Sequence, residues 1–316
     1  WRIGVVLLLM IVAAGCSVAD ASRDEGKISV VASFYPLYDF ASKIGGDRVR
    51  VVNLVPAGVE PHDWSPKPQD MVTITEADVF IYNGWGFEGW ADDVLRGLSK
   101  KTGPVVVEAV RGIEPLRVTE ENGGEAHDEP DGVAHDEDDH DHGTLDPHVW
   151  MSPLQAMRLA ENIFEGLSKA DPEHRAEYER NFAELKSALH DLHEEYAAAI
   201  GEAARKDIVV SHHAYAYLTR DYGLRQIAVM GLSPDAEPTP QALKRVADYV
   251  REHGVKYILF EELASPKLAE TLARDAGIET LVFHPLEGLT PEQEERGEDY
   301  FSLMRANLET LRKALQ

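Results

Sequence analysis

The sequence predicts an α/β protein of two lobes, each a mainly parallel four-stranded sheet flanked by helices, with the lobes joined by one long rigid helix. Three observations carry this reading. Short β-branched apolar runs alternate with amphipathic stretches in both halves of the chain, the pattern of βα units and of a sheet covered on both faces. Between the halves, from Pro153 to Arg205, there is no strand signal. Within that stretch a single helical period runs from Asp171 to Ala203. A chain of 316 residues is long enough for two such lobes.

In chain order, residues 1–26 read as an export signal, a lipidation motif and a linker. Arg2 precedes "IGVVLLLMIVAA", an apolar run of signal-peptide length that is short for a membrane span. "AAGC" follows and resembles a bacterial lipobox, in which Cys16 becomes the lipidated first residue of the mature protein. Ala13 stands where such boxes usually carry leucine, and the start at Trp1 is read as a truncation. Cys16 is the only cysteine, so no disulfide forms within the chain and stability rests on the core. The expected location is extracytoplasmic or periplasmic, anchored to the membrane by lipid.

The first lobe, 27–169, takes its strands from "ISVVASF", "VRVVNLV", "DVFIYN" and "PVVVEAV", and its helices from "PLYDFASKIGG", "KPQDMVTITEA" and "FEGWADDVLRGLSKK". The linking helix, 170–205, is expected to start with Asp171 as N-cap and Pro172 at the first helical position. Its apolar stripe is Tyr178, Phe182, Leu185, Leu189, Leu192 and Tyr196, close to the 3.6-residue period. The second lobe, 206–316, takes its strands from "DIVVS", "RQIAVM", "KYILFE" and "ETLVF".

Charge narrows the partner. A net charge of -25 excludes nucleic acid, which needs a basic face, and favours cations. Eleven carboxylates fall between Glu120 and Asp141 with no lysine or arginine among them. Such a stretch repels itself and cannot pack, so 120–146 reads as a solvated, disordered loop. Its four histidines, His127, His135, His140 and His142, make it a cation collector, with the main site elsewhere.

In open parallel sheets ligands bind beyond the carboxyl ends of the strands. Those positions hold His62 in "EPHDWSP", His148 in "DPHVWMSP", His212 and His213 after "DIVVS", and His284 with Glu287 after "ETLVF". Two positions belong to each lobe, so a cleft between the lobes can gather them around one ion. His190 and His193 lie three residues apart on the linking helix, but "HDLHEEY" reads as a solvated face, as do the surroundings of His174 and His253. "NGWGFEGW" lacks the lysine of a phosphate loop and reads as a turn into a helix.

These blocks together, with "SHHAYAYLTRDYGL", "SPKLAETLARDAG" and "PLEGLT", resemble the zinc and manganese receptors of bacterial ABC importers, the solute-binding proteins with a rigid helical backbone. The resemblance covers essentially the whole mature chain. It implies an ion bound at the lobe interface by His62, His148, His212 in preference to His213, and Glu287 with His284 as its rival. It also implies a monomer that hands its cargo to an ABC permease and its ATPase, with no enzymatic activity. Three imidazoles and one carboxylate suit Zn2+ better than manganese, which prefers more oxygen. The alternatives are a manganese receptor, a surface adhesin and a zinc hydrolase. The hydrolase lacks an HExxH motif and has only Glu60 as a base beside His62.

Deleting Glu120 to His142 is expected to leave one tight zinc equivalent and to remove additional weak ones in a calorimetric titration. Loss of the tight equivalent would make the loop the primary site.

Overall fold

The computed structural model describes residues 26–118, 145–234, 239–263 and 267–316, the side chains of 267–269 excepted. Cys16, the export signal, His127, His135, His140 and His142 lie outside the described residues. The first lobe contains β1 (Ile28–Ala32), β2 (Val49–Asn53), β3 (Val79–Tyr82) and β4 (Val105–Glu108), all parallel, in the order β2-β1-β3-β4. The second contains β5 (Asp207–Val210), β6 (Arg225–Ala228), β7 (Tyr257–Phe260) and β8 (Glu279–Val282), also parallel, in the order β6-β5-β7-β8. The two sheets therefore share one topology. This is the two-lobe α/β fold expected from the sequence.

Helices α1 (Tyr35–Gly45), α2 (Pro68–Glu76), α3 (Ala91–Gly97) and α4 (Pro153–Ala170) belong to the first half of the chain, and α5 (Arg175–Gly201) follows. Then come α6 (Ala216–Tyr222), α7 (Pro240–His253), α8 (Lys267–Ala276), α9 (Pro291–Glu295) and α10 (Tyr300–Ala314). Local chemistry sets several ends. Thr239 caps α7 by accepting the Ala242 N–H at 3.1 Å, and Gly254 closes it at φ 61°, a conformation that glycine adopts without steric penalty. On α4, Gly166 faces β4 so closely that a Cβ there would meet Val107 at 2.2 Å. This tight seat matters because α4 begins just after the His148 segment.

The long helix opens where its pattern suggests, with Asp171 at the N-cap position and Pro172 in the first turn. Pro172–His174 forms a 3-10 turn, and α5 begins at Arg175. The Asp171 carboxylate Oδ2 accepts from the Tyr178 hydroxyl at 2.7 Å and lies 2.7 Å from His174 Nδ1. Five of the six stripe residues are buried, while Phe182 is half-buried and stacks on Phe164 at 5.0 Å.

One continuous apolar core runs from α1 and α4 through α5 into β5, α6 and α10, with a smaller cluster in each lobe. A second strut joins the lobes besides α5. The N-terminal turn of α10 packs on α1 through Tyr300 and Phe40, 4.8 Å apart edge-on, and the Tyr196 hydroxyl of α5 donates to Met304 O of α10 at 2.6 Å. Further bonds tie the lobes near their facing ends: Trp150 Nε1 to Pro285 O at 2.7 Å, the Tyr300 hydroxyl to Trp150 O at 2.6 Å, and Ser152 Oγ to Asp221 Oδ2 at 2.6 Å.

Leu189, fully buried on α5, is expected to cost about 2–5 kcal/mol of unfolding free energy when truncated to alanine, read from urea denaturation.

Candidate metal centre

Four strand ends deliver the site. The β2–α2 loop carries His62, held by its own turns (Trp64 N–H to Pro61 O at 3.2 Å) and by Gly58 N–H donating to Leu289 O at 2.7 Å across the lobe boundary. Phe87 meets the His62 ring edge-on at 4.8 Å. That phenyl comes from the Asn83–Trp90 turn, which does lead into a helix, as read from the sequence. Glu88 organises the turn by accepting the N–H groups of Asn83 and Gly84 at 2.7 and 3.2 Å, and Asn83 Nδ2 then donates to Pro147 O at 3.0 Å. The turn thus supports both His62 and the peptide before His148.

His148 and His212 are each backed by a buried carboxylate. His148 Nδ1 lies 2.8 Å from Asp146 Oδ1, which also accepts the His148 N–H at 2.9 Å. His212 Nδ1 lies 2.6 Å from Glu261 Oε1, which Ser211 Oγ also reaches. A ring nitrogen committed to a carboxylate leaves Nε2 to face the site with its lone pair available when the ring is neutral. Glu287, after β8, is fully buried among the three rings.

Four of the six donor separations match a tetrahedral coordination shell. His62 Nε2 and His148 Nε2 are 3.2 Å apart, and Glu287 Oε1 lies 3.5, 3.3 and 3.4 Å from the Nε2 atoms of His62, His148 and His212. Ligands about 2.0–2.1 Å from a zinc ion in tetrahedral array stand roughly 3.3 Å from one another. Donor atoms of all four residues lie within 4.8 Å of one another, and no other such group occurs among the described residues. His212 Nε2 and both Glu287 oxygens are buried with no hydrogen-bond partner, an arrangement that a dication would satisfy.

The electrostatics follow from the backing groups. Burial disfavours the charged ring of His148, but the Asp146 hydrogen bond and Glu287 outweigh it and raise its pKa above the usual imidazole value. The same contest at His212, decided by Glu261, raises its pKa further. Burial dominates at His62 and lowers its pKa. At Glu287 the three imidazoles, His62 foremost, outweigh burial and hold the carboxyl far below its ordinary range. Burial and the neighbouring Glu287 charge push Glu60 up to about 9, so it is protonated at neutral pH.

The remaining histidines stand apart. His213 turns away, its Nε2 3.0 Å from Gln226 Nε2 and 3.6 Å from Asp146 Oδ2. His284 lies outside the group of four, with Nε2 3.3 Å from Gln293 Oε1. His193 Nδ1 contacts the Tyr222 hydroxyl at 3.0 Å, and His253 stacks on Tyr249 at 3.9 Å. The residues flanking 119–144 are pinned together by an antiparallel bridge from Arg117 to Leu145, three positions before His148. Sequence reasoning missed Asp146 and Glu261. Both were within its reach: Asp146 is two residues before His148, and Glu261 directly follows β7, at a strand end like the ligand candidates themselves.

A family model described as zinc-uptake complex component A, periplasmic (ZnuA), matches residues 30–314. The zinc-binding protein AdcA of Streptococcus pyogenes serotype M3 is 41% identical over 293 residues, covering 91% of this chain and 56% of that protein. The chain thus spans little more than half the length of that relative. The high-affinity zinc uptake system protein ZnuA of Bacillus subtilis is 39% identical over 309 residues, 97% of this chain and 94% of the relative. Among solved structures, the Zn(II)-bound ZnuA-like domain of Streptococcus pneumoniae AdcA superposes with a TM-score of 0.76 at 37% identity, covering 92% of this chain and 99% of that one.

Asp146→Asn and Glu261→Gln remove the charges behind His148 and His212, and each is expected to weaken zinc binding roughly 10- to 100-fold in a chelator competition assay. Unchanged affinity in both would mean that the backing carboxylates do not orient the rings.

Proposed function

The chain belongs to the zinc-uptake complex component A family, and from that premise we propose that it is an extracytoplasmic receptor that captures Zn2+ between its lobes and delivers it to an ABC permease. The single observation carrying this reading is the set of three Nε2 atoms and one carboxylate at tetrahedral spacing. The family is made up of solute-binding receptors of zinc-uptake systems, which supports a permease and an ATPase as its partners. Cys16 would carry the lipid anchor, and the receptor would work as a monomer. The lobes would be 27–169 and 206–316, with 170–205 between them and 120–146 collecting cations for the cleft.

The donor set favours zinc. Three neutral imidazoles and one carboxylate form a borderline site, whereas manganese is better served by more oxygen ligands. Hydrolysis is disfavoured by the same shell: four protein donors close a tetrahedron and leave no position for a reactive water.

Capture requires proton release. In the zinc-free protein His148 and His212 have pKa values raised above the usual imidazole value, and zinc can bind only their neutral forms. Affinity is therefore weak well below pH 6.5, strengthens as pH rises, and goes on strengthening above the ordinary histidine pKa. Glu287 stays ionised throughout and contributes no such slope.

Delivery is expected to need small lobe adjustments, because α5, α10 and the continuous core resist a wide hinge. The test is metal analysis of the purified protein, then zinc titrations from pH 5.5 to 8.5 on the parent chain, His212→Ala and Glu287→Ala. One tight equivalent with the stated pH trend, lost in both variants, supports the reading. Tight binding that survives either substitution, or manganese bound in preference to zinc, overturns it.

A further inference from the structure

Glu287 is aimed differently from its partners. Its carboxylate has no carboxylate or backbone brace behind it like those of His148 and His212; Oε1 faces the three imidazoles at 3.3 to 3.5 Å, and the backbone that presents it sets its approach to them. That backbone contains an uncommon feature. Leu286, immediately before Glu287, sits at φ 58° in the left-handed region, shared among described non-glycine residues only with Trp85. The Cβ of an L-residue crowds the following carbonyl oxygen in this conformation, and nothing in leucine compensates by local hydrogen bonding.

The compensation comes from His284. Its Nδ1 accepts the Leu286 N–H at 2.9 Å. With Nδ1 accepting, the neutral ring carries its proton on Nε2, which faces Gln293 Oε1 at 3.3 Å and Glu262 Oε2 at 3.6 Å. Asn307 of α10 fixes the His284 backbone on both sides, accepting its N–H at 2.8 Å and donating to its carbonyl at 2.7 Å. Tyr215 donates to Phe283 O at 2.8 Å and Trp150 to Pro285 O at 2.7 Å. The segment is therefore pinned up to Pro285, and the His284 imidazole is the group that reaches forward from it to the Leu286 peptide.

We infer that His284 is a positioning residue of the metal centre: by accepting the Leu286 N–H it holds the left-handed turn that points the Glu287 carboxylate at His62, His148 and His212. The inference rests on reading those four residues as the zinc site. Without the acceptor, Leu286 relaxes toward negative φ, the 286–287 peptide rotates, and the Glu287 oxygen leaves its tetrahedral corner. The ring also spans from Leu286 to Glu262, the neighbour of the Glu261 that backs His212, so one imidazole braces the surroundings of two donors.

Zinc affinity by chelator competition, the visible spectrum of the cobalt(II)-substituted protein, and thermal unfolding of the zinc-free protein test this. His284→Ala is expected to lower zinc affinity roughly 10- to 100-fold and to weaken the intense absorption of tetrahedral cobalt. His284→Asn, whose side-chain oxygen can take the place of Nδ1, is expected to stay within a few-fold of the parent. The double variant His284→Ala with Leu286→Gly is expected to regain most of the affinity, because glycine adopts positive φ unaided. Unchanged affinity and cobalt spectrum in His284→Ala overturns the inference, and so does a double variant that does not recover. Should His284→Ala fail to fold, the double variant decides: restored binding supports the role and continued failure refutes it. Glu287→Ala separates the two levels. If it retains tight zinc binding, the reading of the centre fails; if it loses binding while His284→Ala does not, only the positioning role fails.

Discussion

A buried carboxylate surrounded by three imidazoles, with no hydrogen bond to either oxygen, is the constraint on which this molecule depends. An ionised group in that position is strongly unfavourable unless positive charge approaches it. The chain provides partial relief by raising the proton affinity of His148 and His212 through Asp146 and Glu261. A dication provides full relief. The same arrangement that makes the empty centre costly would favour the binding of a dication and couple that binding to the loss of protons.

Holding four donors near 3.3 Å spacing without an ion demands rigid surroundings, and the fold supplies them at two scales. Locally, each donor has its own brace: Phe87 against His62, Asp146 behind His148, Glu261 behind His212, and the pinned 283–286 segment before Glu287. Globally, two helices cross between the lobes, and the apolar core is continuous through them. The Trp150 side chain and carbonyl join these scales, linking the His148 segment to Pro285 and to Tyr300 at the start of α10. A wide hinge would have to break these bonds and open that core. Release by local movement of the donor loops leaves the core intact.

Much of this was legible in the residues, for physical reasons that can be named. Buried parallel strands need continuous β-branched runs, and all eight strands fall within the runs that show them. Ligand positions in parallel sheets cluster at carboxyl ends, which singled out His62, His148, His212 and the His284–Glu287 segment. Periodicity was less informative at boundaries. The helical pattern beginning at Asp171 did not reveal that its first turn, Pro172–His174, would be 3-10, or that Tyr178 and His174 would bond to the Asp171 carboxylate. Nor did anything in "YFSLMRANLETLRKAL" mark α10 as a strut between lobes, since an amphipathic stripe does not say which neighbours it will cover.

The amino-acid order by itself determined the two-lobe α/β class, the chemical type of the site and the candidate donors, because strand-forming runs, helical periods and ligand-bearing residue types are local properties. The tertiary structure decided which candidates converge. The choices between His212 and His213, and between Glu287 and His284, depend on the direction in which each side chain leaves the backbone. That direction is set by partners distant in sequence: Glu261 is 49 residues from His212, and Asn307 is 23 from His284. Spacing along a chain carries no record of such contacts, so only the folded molecule distinguishes the candidates that meet from those that do not.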